Sequence, residues 1–263
     1  MATNTPEVFY RGNPAYGTTN VQRAITNAAL TSNLVTLTFG SNHGLSQVGT
    51  LISVQGVSSV YDGLYPVNSF PGLNTCTYVK TNANISSASV TPNASAIFNS
   101  AVSIGGTISN VAVVNNVAII TTGSPHNLAI GNIVSINVGQ TATDGVYVVT
   151  SIPSSTLFTY SSATASLTST AITQGAFGRF PDNYTLASAT NGIVTNAVFS
   201  NPTASSAQVN MTIDGIAVAK QLTINANAST FLDIKQFFAT TKSISVGTNI
   251  PQIDCQVSGI TIV

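Results

Sequence analysis

The stretch SNHGLSQVGTLISVQGVSSVYDGLYPV (Ser41–Val67) returns later in the chain in altered form as SPHNLAIGNIVSINVGQTATDGVYVV (Ser124–Val149). Each copy contains a histidine two residues before a leucine, then a glycine, an apolar run and an Asp-Gly pair. The chain has only two histidines and seven acidic residues, so each copy uses one histidine and one aspartate. Two explanations are open: paired catalytic or metal sites, or a duplicated β module whose turns require these residue types.

The two copies align on both sides of a one-residue gap. Downstream of the gap, Asp62 aligns with Asp144, and the apolar run around it matches in the same register. Upstream of the gap, His43 aligns with His126. A biased composition inflates self-similarity, but matches over roughly fifty positions with a single gap indicate a duplication.

Nearly the whole chain has the pattern of β-strands. Val, Ile, Thr, Tyr and Phe alternate with polar residues in segments such as NLVTLTF (Asn33–Phe39) and NIVSINV (Asn132–Val138), and Asn, Gly, Pro or Ser clusters separate these segments. The best candidates for a helical turn are Asn20–Leu30 and Phe231–Phe238, and the second is equally consistent with a strand followed by a turn. The pattern predicts an all-β protein.

The spacing of strands and turn residues differs along the chain, and these differences predict the domain organisation. We expect an N-terminal arm at residues 1–32, a first β repeat module at 33–98, a second at 99–174, and a C-terminal antiparallel β-sandwich at 175–263. Each module is a small barrel or sandwich, too small to bury a large core alone. The last segment lacks the repeat, and its strands of five to eight residues between turn signals are typical of a sandwich.

Charge is scarce throughout the chain. Charged residues make up 5% of it and the formal net charge is zero, whereas about 25% is usual. The scattered lysines and arginines form no basic stripe, so we expect no nucleic-acid partner. Such a surface offers little electrostatic repulsion between molecules and suits an assembled subunit. Since neither a signal peptide nor a long apolar span is evident, we expect a soluble product made in a cytoplasm, with no membrane partner.

The duplicated histidines and aspartates fit turn chemistry better than a site. No Cys, Asp or Glu lies within five residues of His43 or His126, and Asp62 and Asp144 follow eighteen or nineteen residues later. A zinc site needs three or four ligands, usually closely spaced. An Asp-Gly pair is first a hairpin signal, because Gly adopts positive φ and Asp bonds nearby backbone. We therefore predict turns, with neither metal nor cofactor.

Nothing else in the sequence indicates catalysis. The carboxylates are isolated along the chain, no GxSxG motif or Gly-rich phosphate loop is present, and Trp is absent. The repeat tyrosines are expected to pack in cores or across strands: Tyr61, Tyr65, Tyr78, Tyr147 and Tyr160. Cys76 and Cys255 fall in different predicted modules, and we expect them to be buried free thiols. The prediction is a protein that is not an enzyme and has no catalytic residues.

The repeat resembles a β module that is widespread in structural proteins of tailed bacteriophages. The first copy carries the resemblance in HGL, VGTLISVQGV, YDGLYPV and CTYV, and the second in HNL, IGNIVSINV, TDGVYVVTSI and LFTY. The second copy departs from the pattern at Asn127, where that family favours Gly, and at Thr143, where it commonly has an aromatic residue.

The C-terminal segment is similar to an immunoglobulin-like sandwich of phage virions. The strands IVTNAVFSNPT, VNMTIDGIAV and CQVSGITIV and the turn ANAS carry this resemblance. That family often begins with a YRG segment, and this chain has VFYRGNPAYGTTN near its start. The resemblance implies a single sandwich into which the two modules are inserted, with Val8–Arg11 as a candidate strand.

Together the resemblances imply a non-enzymatic virion structural protein, either a capsid decoration or a neck or tail accessory subunit. Its expected partners are other virion proteins (major capsid, neck or tail proteins) and further copies of itself, on a symmetric lattice within the virion. Phe9, Tyr10 and Arg11 are candidate docking residues if they do not form a core strand.

Two other functions stay open. In a receptor- or glycan-binding adhesin of the tail, loop tips at His43, His126 and the two Asp-Gly turns would face a host surface. Scarce charge and the absence of Trp count against this. A depolymerase would need clustered carboxylates.

Overall fold

The computed structural model describes residues 4–14, 20–90, 92–99, 104–187 and 190–262. No helix occurs in these ranges, and the all-β prediction is confirmed. The strands, in chain order, are β1 (Asn4–Gly12), β2 (Asn20–Thr31), β3 (Leu34–Phe39), β4 (Leu51–Gln55), β5 (Gly63–Pro66), β6 (Ser69–Gly72), β7 (Thr75–Val79), β8 (Ile85–Ser89), β9 (Ser95–Asn99), β10 (Gly105–Val114), β11 (Val117–Thr122), β12 (Ile133–Asn137), β13 (Gly145–Ser154), β14 (Leu157–Ser161), β15 (Leu167–Ala171), β16 (Ala176–Arg179), β17 (Asp182–Thr185), β18 (Asn191–Asn201), β19 (Ala207–Ile213), β20 (Ile216–Ile224), β21 (Ala228–Phe238), β22 (Ser243–Thr248) and β23 (Asp254–Ile262).

Both segments considered as helical turns are strands. Asn20–Leu30 lies in β2, which pairs with β9 through its first half and with β3 and β8 through its second half. Phe231–Phe238 lies in β21, where every second residue is exposed. In both segments, the pairing with neighbouring strands and the period of two in side-chain exposure decide for a strand.

The two copies of the repeat fold alike. In the second module, six strands close into an antiparallel barrel in the order β10, β11, β14, β13, β12 and β16, and β15 pairs with β10 outside it. In the first module, β2, β3, β7, β4 and β9 take the equivalent places, and β5 and β6 together replace β13. β8 is the counterpart of β15. Each barrel has its own apolar core, with Tyr78 and Tyr160 at equivalent, fully buried positions.

Strand pairing places the limits of the modules differently from the expected boundaries. Residues 20–31 form β2, which belongs to the first barrel rather than to an N-terminal arm. Residues 176–179 form β16, which belongs to the second barrel rather than to the sandwich. The repeat therefore extends on both sides beyond the sequence match, because the closing strands need alternation and no particular residue types.

The sandwich consists of two four-stranded antiparallel sheets. One sheet, called here the outer sheet, has the order β1, β23, β18, β21, and the other has the order β17, β22, β19, β20. Their facing side chains form one core that includes Phe199, Met211 and Val257. Since β1 pairs with β23, both barrels lie between the first and second strands of the sandwich in sequence.

Each barrel contacts the next unit through the same turn and face. Gly49 and Gly131, equivalent positions that both have a φ of +86°, lie so close to the next unit that a Cβ would clash with the carbonyl oxygens of Phe177 and Gly215, respectively. The glycines are therefore required by the close approach of two backbones. Beside them lies an apolar cluster of residues from both barrels and from the connection between β16 and β17: Leu51, Leu64, Ile133, Val146, Val148 and Phe180.

The face that is repeated in the two barrels meets two different surfaces. Leu51 and Leu64 of the first barrel are equivalent to Ile133 and Val146 of the second. The first barrel's face meets β12 and β16, whereas the second barrel's face meets β19, β20 and β22 of the sandwich. We call the contact between the two barrels the first joint and the contact between the second barrel and the sandwich the second joint. At the second joint, the buried Asn210 Nδ2 donates to the Val146 carbonyl at 3.0 Å. The tandem contact was not predicted from the sequence.

Candidate functional site

The two histidines fasten the turns that follow β3 and β11. His43 Nδ1 accepts from the Leu45 amide at 2.9 Å, and its Nε2 lies 3.1 Å from the Gly72 carbonyl oxygen. In the second barrel, His126 Nδ1 accepts from the Leu128 amide at 3.0 Å, and its Nε2 lies 3.1 Å from the Ser154 carbonyl oxygen. Both side chains are only 3% exposed. The turn prediction is confirmed, and both ring nitrogens have backbone partners.

The repeat aspartates close a loop rather than a tight hairpin. Asp62 accepts from the amides of Gly56, Val57 and Ser58, and Asp144 accepts from those of Val138 and Gly139, over distances of 2.7 to 3.3 Å. Seven residues separate the paired strands in each barrel, so the predicted Asp-Gly hairpin is wrong here.

The sandwich shows where an Asp-Gly pair does make a tight turn. Only Asp214 and Gly215 separate β19 from β20, and both have positive φ, as a two-residue hairpin requires. The same dipeptide thus serves two geometries, and sequence alone does not tell them apart.

Burial makes the Asp144 carboxyl a weak acid. Burial raises its pKa to about 6, and the hydrogen bonds from the amides of Val138, Gln140 and Gly139 oppose that rise. With its oxygens turned towards backbone donors, this carboxyl is a loop anchor with an unusual titration range.

Two tyrosines stack in each barrel beside the aspartate loop. The rings of Tyr65 and Tyr78 are 4.2 Å apart, and those of Tyr147 and Tyr160 are 4.0 Å apart. Tyr78 donates to the Tyr61 carbonyl and Tyr160 to the equivalent carbonyl of the aspartate loop, both at 2.7 Å. Burial raises the pKa of both inner tyrosines, so they stay protonated and act as packing residues.

Both cysteines are free and buried, as predicted. Cys76 lies in the first barrel and Cys255 in the sandwich. Burial raises the pKa of each thiol to about 12, so neither is a thiolate at neutral pH. They behave as small apolar side chains.

The candidate docking residues lie in β1, which is a core strand. Phe9 and Tyr10 are only 4% and 6% exposed and pack in the sandwich core. The Phe9 ring lies 5.4 Å from that of Phe238, edge to face. Only Arg11 of the three is exposed. The two aromatic side chains therefore hold β1 in the sandwich and are not free to reach a partner.

An open cleft of about 460 Å³ lies between the first barrel and the sandwich. Its polar lining includes Asp62, Tyr65, Lys80, Asn249 and Gln252. Lys80 Nζ donates to the Tyr65 hydroxyl at 2.7 Å and lies 5.1 Å from the centre of that ring. A neighbouring cleft of about 340 Å³ shares Tyr65, Lys80 and Asn249, and Asp144 contributes to its wall. These clefts offer hydrogen-bonding groups, and the half-buried Tyr65 contributes an aromatic ring to the lining of both.

The solvent-facing side of the outer sheet carries apolar side chains in register. Pro6 lies opposite Ile260, Ile260 opposite Ile193, and Ile193 opposite Phe237, so one row crosses all four strands. A second row includes Val198 opposite Phe231. This outer face was not predicted from the sequence. The signal was the alternation in β21, in which Phe231 and Phe237 are 63% and 54% exposed.

The described residues contain neither a metal-binding cluster nor a membrane-spanning helix. No group of three or more His, Cys, Asp or Glu side chains there lies close enough together to hold a metal ion. None of these residues belongs to a helix with the length and apolarity to cross a membrane.

Comparison with known proteins gives little support for any assignment. No protein-family model matches the chain, and no curated protein matches it significantly. Among solved structures, it is similar to the endosialidase of phage phi92, with 16% identity and a TM-score of 0.26 over 68% of this chain and 30% of that one. It thus spans about 30% of the endosialidase chain.

A second solved structure is the SGBP-B protein of the Bacteroides ovatus mixed-linkage glucan utilization locus, in complex with a mixed-linkage heptasaccharide. This protein has 14% identity to the chain and a TM-score of 0.16, over 88% of this chain and 71% of that one. At these scores, neither likeness carries an argument about function.

Proposed function

We propose that the chain is a non-enzymatic structural subunit of a tailed-phage virion, either a capsid decoration or a neck or tail accessory protein. It would be made in the host cytoplasm and dock on a symmetric lattice of other virion proteins. The assignment to a virion comes from the sequence resemblance of the repeat and the sandwich. The observation that carries the docking role is the apolar outer face of the sandwich, on a chain with 5% charged residues.

The duplicated polar residues support a structural role. His43, His126, Asp62 and Asp144 all direct their polar atoms to backbone groups of their own loops and barrels. A catalytic residue needs a polar atom free to meet a substrate. Because these side chains are hydrogen-bonded to backbone groups that fix the loops, they favour a scaffold over a reactive site.

The outer face supports docking through apolar contact. Ile193, Ile260 and Phe237 lie next to one another across three strands, and contiguous exposed apolar patches mark interaction sites. Contacts of this kind depend little on ionic strength, because screening acts on charges. Many copies on one lattice would add avidity to weak individual contacts.

A particle-binding experiment tests this proposal. Purified particles should contain the chain by mass spectrometry, and a density map of the whole virion should show its position and multiplicity. In a re-addition assay on particles that lack the chain, Ile193→Glu should abolish binding. Ile216→Glu, the same substitution on the opposite sheet of the sandwich, should leave binding unchanged. Absence of the chain from particles would refute the virion role.

The cleft at Lys80 favours one alternative, a glycan-binding adhesin. Asp62, Asn249 and Gln252 supply the hydrogen-bonding groups that sugars use. The buried His43 and His126 are not available as loop-tip contacts in such a role. Binding on a glycan array that is lost in Asn249→Ala, with Ile193→Glu unaffected, would support this function instead.

A depolymerase is the third function considered. Asp62 and Asp144 line neighbouring clefts, but each anchors its own loop. Loss of a polysaccharide-degrading activity in Asp62→Asn or Asp144→Asn would support it, and unchanged activity in both variants would remove it.

A further inference from the structure

β21 forms one edge of the outer sheet, with β18 as its neighbour on one side. An edge strand presents a row of backbone N–H and C=O groups that can pair with another strand. β21 is eleven residues long, and its exposure alternates without a break from Ser229 to Phe237. Its inner side chains Leu232 and Ile234 are half-buried against the sandwich core.

The exposed side chains of β21 form a pattern that complements itself. Reading outward from Ile234, Asp233 and Lys235 are the first exposed neighbours, and Phe231 and Phe237 are the next. In an antiparallel pair of two such strands centred on Ile234, each Asp233 lies opposite a Lys235, and each Phe231 lies opposite a Phe237. Opposite charges and aromatic pairs are both favourable cross-strand neighbours.

We propose that two copies of this chain pair through β21, antiparallel across a two-fold axis at Ile234. Such an interface is isologous, as in most homodimers. The outer sheets of the two copies then form one continuous eight-stranded sheet. In an antiparallel sheet, residues directly opposite each other form either a hydrogen-bonded or a non-hydrogen-bonded pair. A two-fold axis that passes through Ile234 is therefore compatible with either pattern of backbone groups at the free edge of β21.

The pairing also joins the apolar rows of the outer face. The row that ends at Phe237 in one copy meets Phe231 of the second copy, which lies beside Val198 in its own sheet. The apolar rows thereby run through both copies. The register shift between β18 and β21 lies at the proposed axis, where Ile234 and Lys235 stand beside the single residue Thr195 of β18. The alternation of exposed and inner side chains in β21 continues through it.

The charges on β21 select this register. A lysine on an edge strand usually discourages pairing with other strands. Here Asp233, two residues before it, makes the strand attractive to itself in the antiparallel register centred on Ile234. A shift of the axis from Ile234 to Lys235 would place Lys235 against itself, and like charges directly opposite destabilise a pair.

Sedimentation equilibrium of the purified full chain tests the charge pattern. The wild-type chain should be a dimer. Lys235→Asp, which places aspartates opposite each other at two symmetric sites, should weaken the dimer by about tenfold or more. The double variant Asp233→Lys/Lys235→Asp restores opposite pairs and should return the dissociation constant to near its wild-type value.

A matched control separates this effect from net charge. Lys220→Asp makes the same change in net charge at an exposed position of β20, the edge of the other sheet, and should leave the dimer intact. Unchanged thermal unfolding and circular dichroism would establish that each variant is folded. A monomeric wild-type chain, or a double variant as weak as Lys235→Asp, would overturn the proposal.

Cysteine crosslinking tests the position of the axis. Ile234→Cys places two thiols opposite each other within disulfide reach, whereas the residue opposite Leu232 is Gln236. Mild oxidation should therefore link Ile234→Cys into a covalent dimer and leave Leu232→Cys mostly monomeric. The native cysteines are buried and provide a low background. Equal crosslinking of the two variants, or none in either, would refute an axis at Ile234.

This inference is independent of the place proposed for the chain in a virion. The dimer is measured on the purified chain, whereas docking is measured on particles. A monomeric chain that binds particles would overturn only the pairing, and a dimer absent from particles would overturn only the virion role.

Discussion

The first and second barrels build the same backbone from sequences that differ at most positions, and the shared residues are those that hold the chain path. His43 and His126 bond equivalent carbonyl groups 29 and 28 residues away. The positions that differ include Lys80, which reaches Tyr65 in the cleft beside the sandwich, where the second barrel has Ser162. Residues that fix turns must keep their chemistry, whereas residues that face different neighbours are free to differ.

The barrels also differ where one meets the other. β13 is continuous in the second barrel, but its counterpart is divided into β5 and β6 at Val67 and Asn68. The Asn68 side chain accepts a hydrogen bond at 2.9 Å from the amide of Gly175, just before β16. Val67 and Asn68 keep backbone hydrogen bonds to Thr50 and Thr77, so this break in the strand coincides with a contact to the second barrel without opening the wall.

The largest effect is expected from closing the space at the two joints. Gly49→Ala should loosen the contact between the barrels and Gly131→Ala that between the second barrel and the sandwich, each by about 4 kcal/mol, since each adds a backbone clash to a strained positive φ. Hydrogen exchange should locate the loss at the joint concerned. Gly44→Ala, with φ of +73° and open space, is the control and should cost about 1 kcal/mol. Equal losses of stability in all three variants would contradict the close approach of the two backbones at Gly49 and Gly131.

The next effect concerns the histidine turns. His43→Ala and His126→Ala should each destabilise the chain by about 2–3 kcal/mol, because each leaves a cavity and removes a backbone partner from a buried turn. Urea unfolding with hydrogen exchange would measure both, and the two losses should be similar. A much smaller loss in one barrel would show that its turn does not depend on the imidazole.

The stability of the second barrel should depend on pH through the Asp144 carboxyl. Its pKa is raised to about 6 from 3.8, so the folded chain holds this proton more tightly than the unfolded chain does. The contribution of this group to the free energy of unfolding is therefore fully present below about pH 4 and falls, by up to about 3 kcal/mol, as pH rises through 6. Asp144→Asn should lack this decline in unfolding free energy measured by urea titration. The same decline in variant and wild type would assign it to another group.

The smallest effect concerns the residue after each histidine. Gly44 and Asn127 both have positive φ, of 73° and 52°. Asn is the side chain that best tolerates this conformation after Gly, so Gly44→Asn should cost only about 0.5 kcal/mol and Asn127→Gly should change stability by no more than that. Thermal unfolding would measure both. A loss much larger than this in either variant would mean that the two turns are not equivalent.

The sequence predicted what depends on local pattern. Alternation and turn residues indicated the strands, and the His-x-Leu spacing identified turns whose Nδ1 bonds lie two residues apart. The sequence pattern did not predict contacts between distant segments. The Nε2 atoms of the two histidines meet the carbonyl groups of Gly72 and Ser154, and these contacts depend on the register between strands. Likewise, the apolar row on the outer sheet combines β1, β18, β21 and β23, so no single segment of sequence reveals it.

Pairing of β1 with β23 has a consequence for the order in which the chain folds during synthesis. Gly12 lies near the beginning of the sequence and its partner Cys255 near the end, so β1 leaves the ribosome long before its partner exists. Until then, Phe9 and Tyr10 have no sandwich core to enter, and exposed apolar strands are prone to aggregate. The barrels can fold in the interval, because each has an apolar core of its own, and a folded insertion leaves fewer flexible residues between β1 and β17. The inserted barrels thus reduce the loop-closure cost of completing the sandwich, in addition to any role in the finished particle.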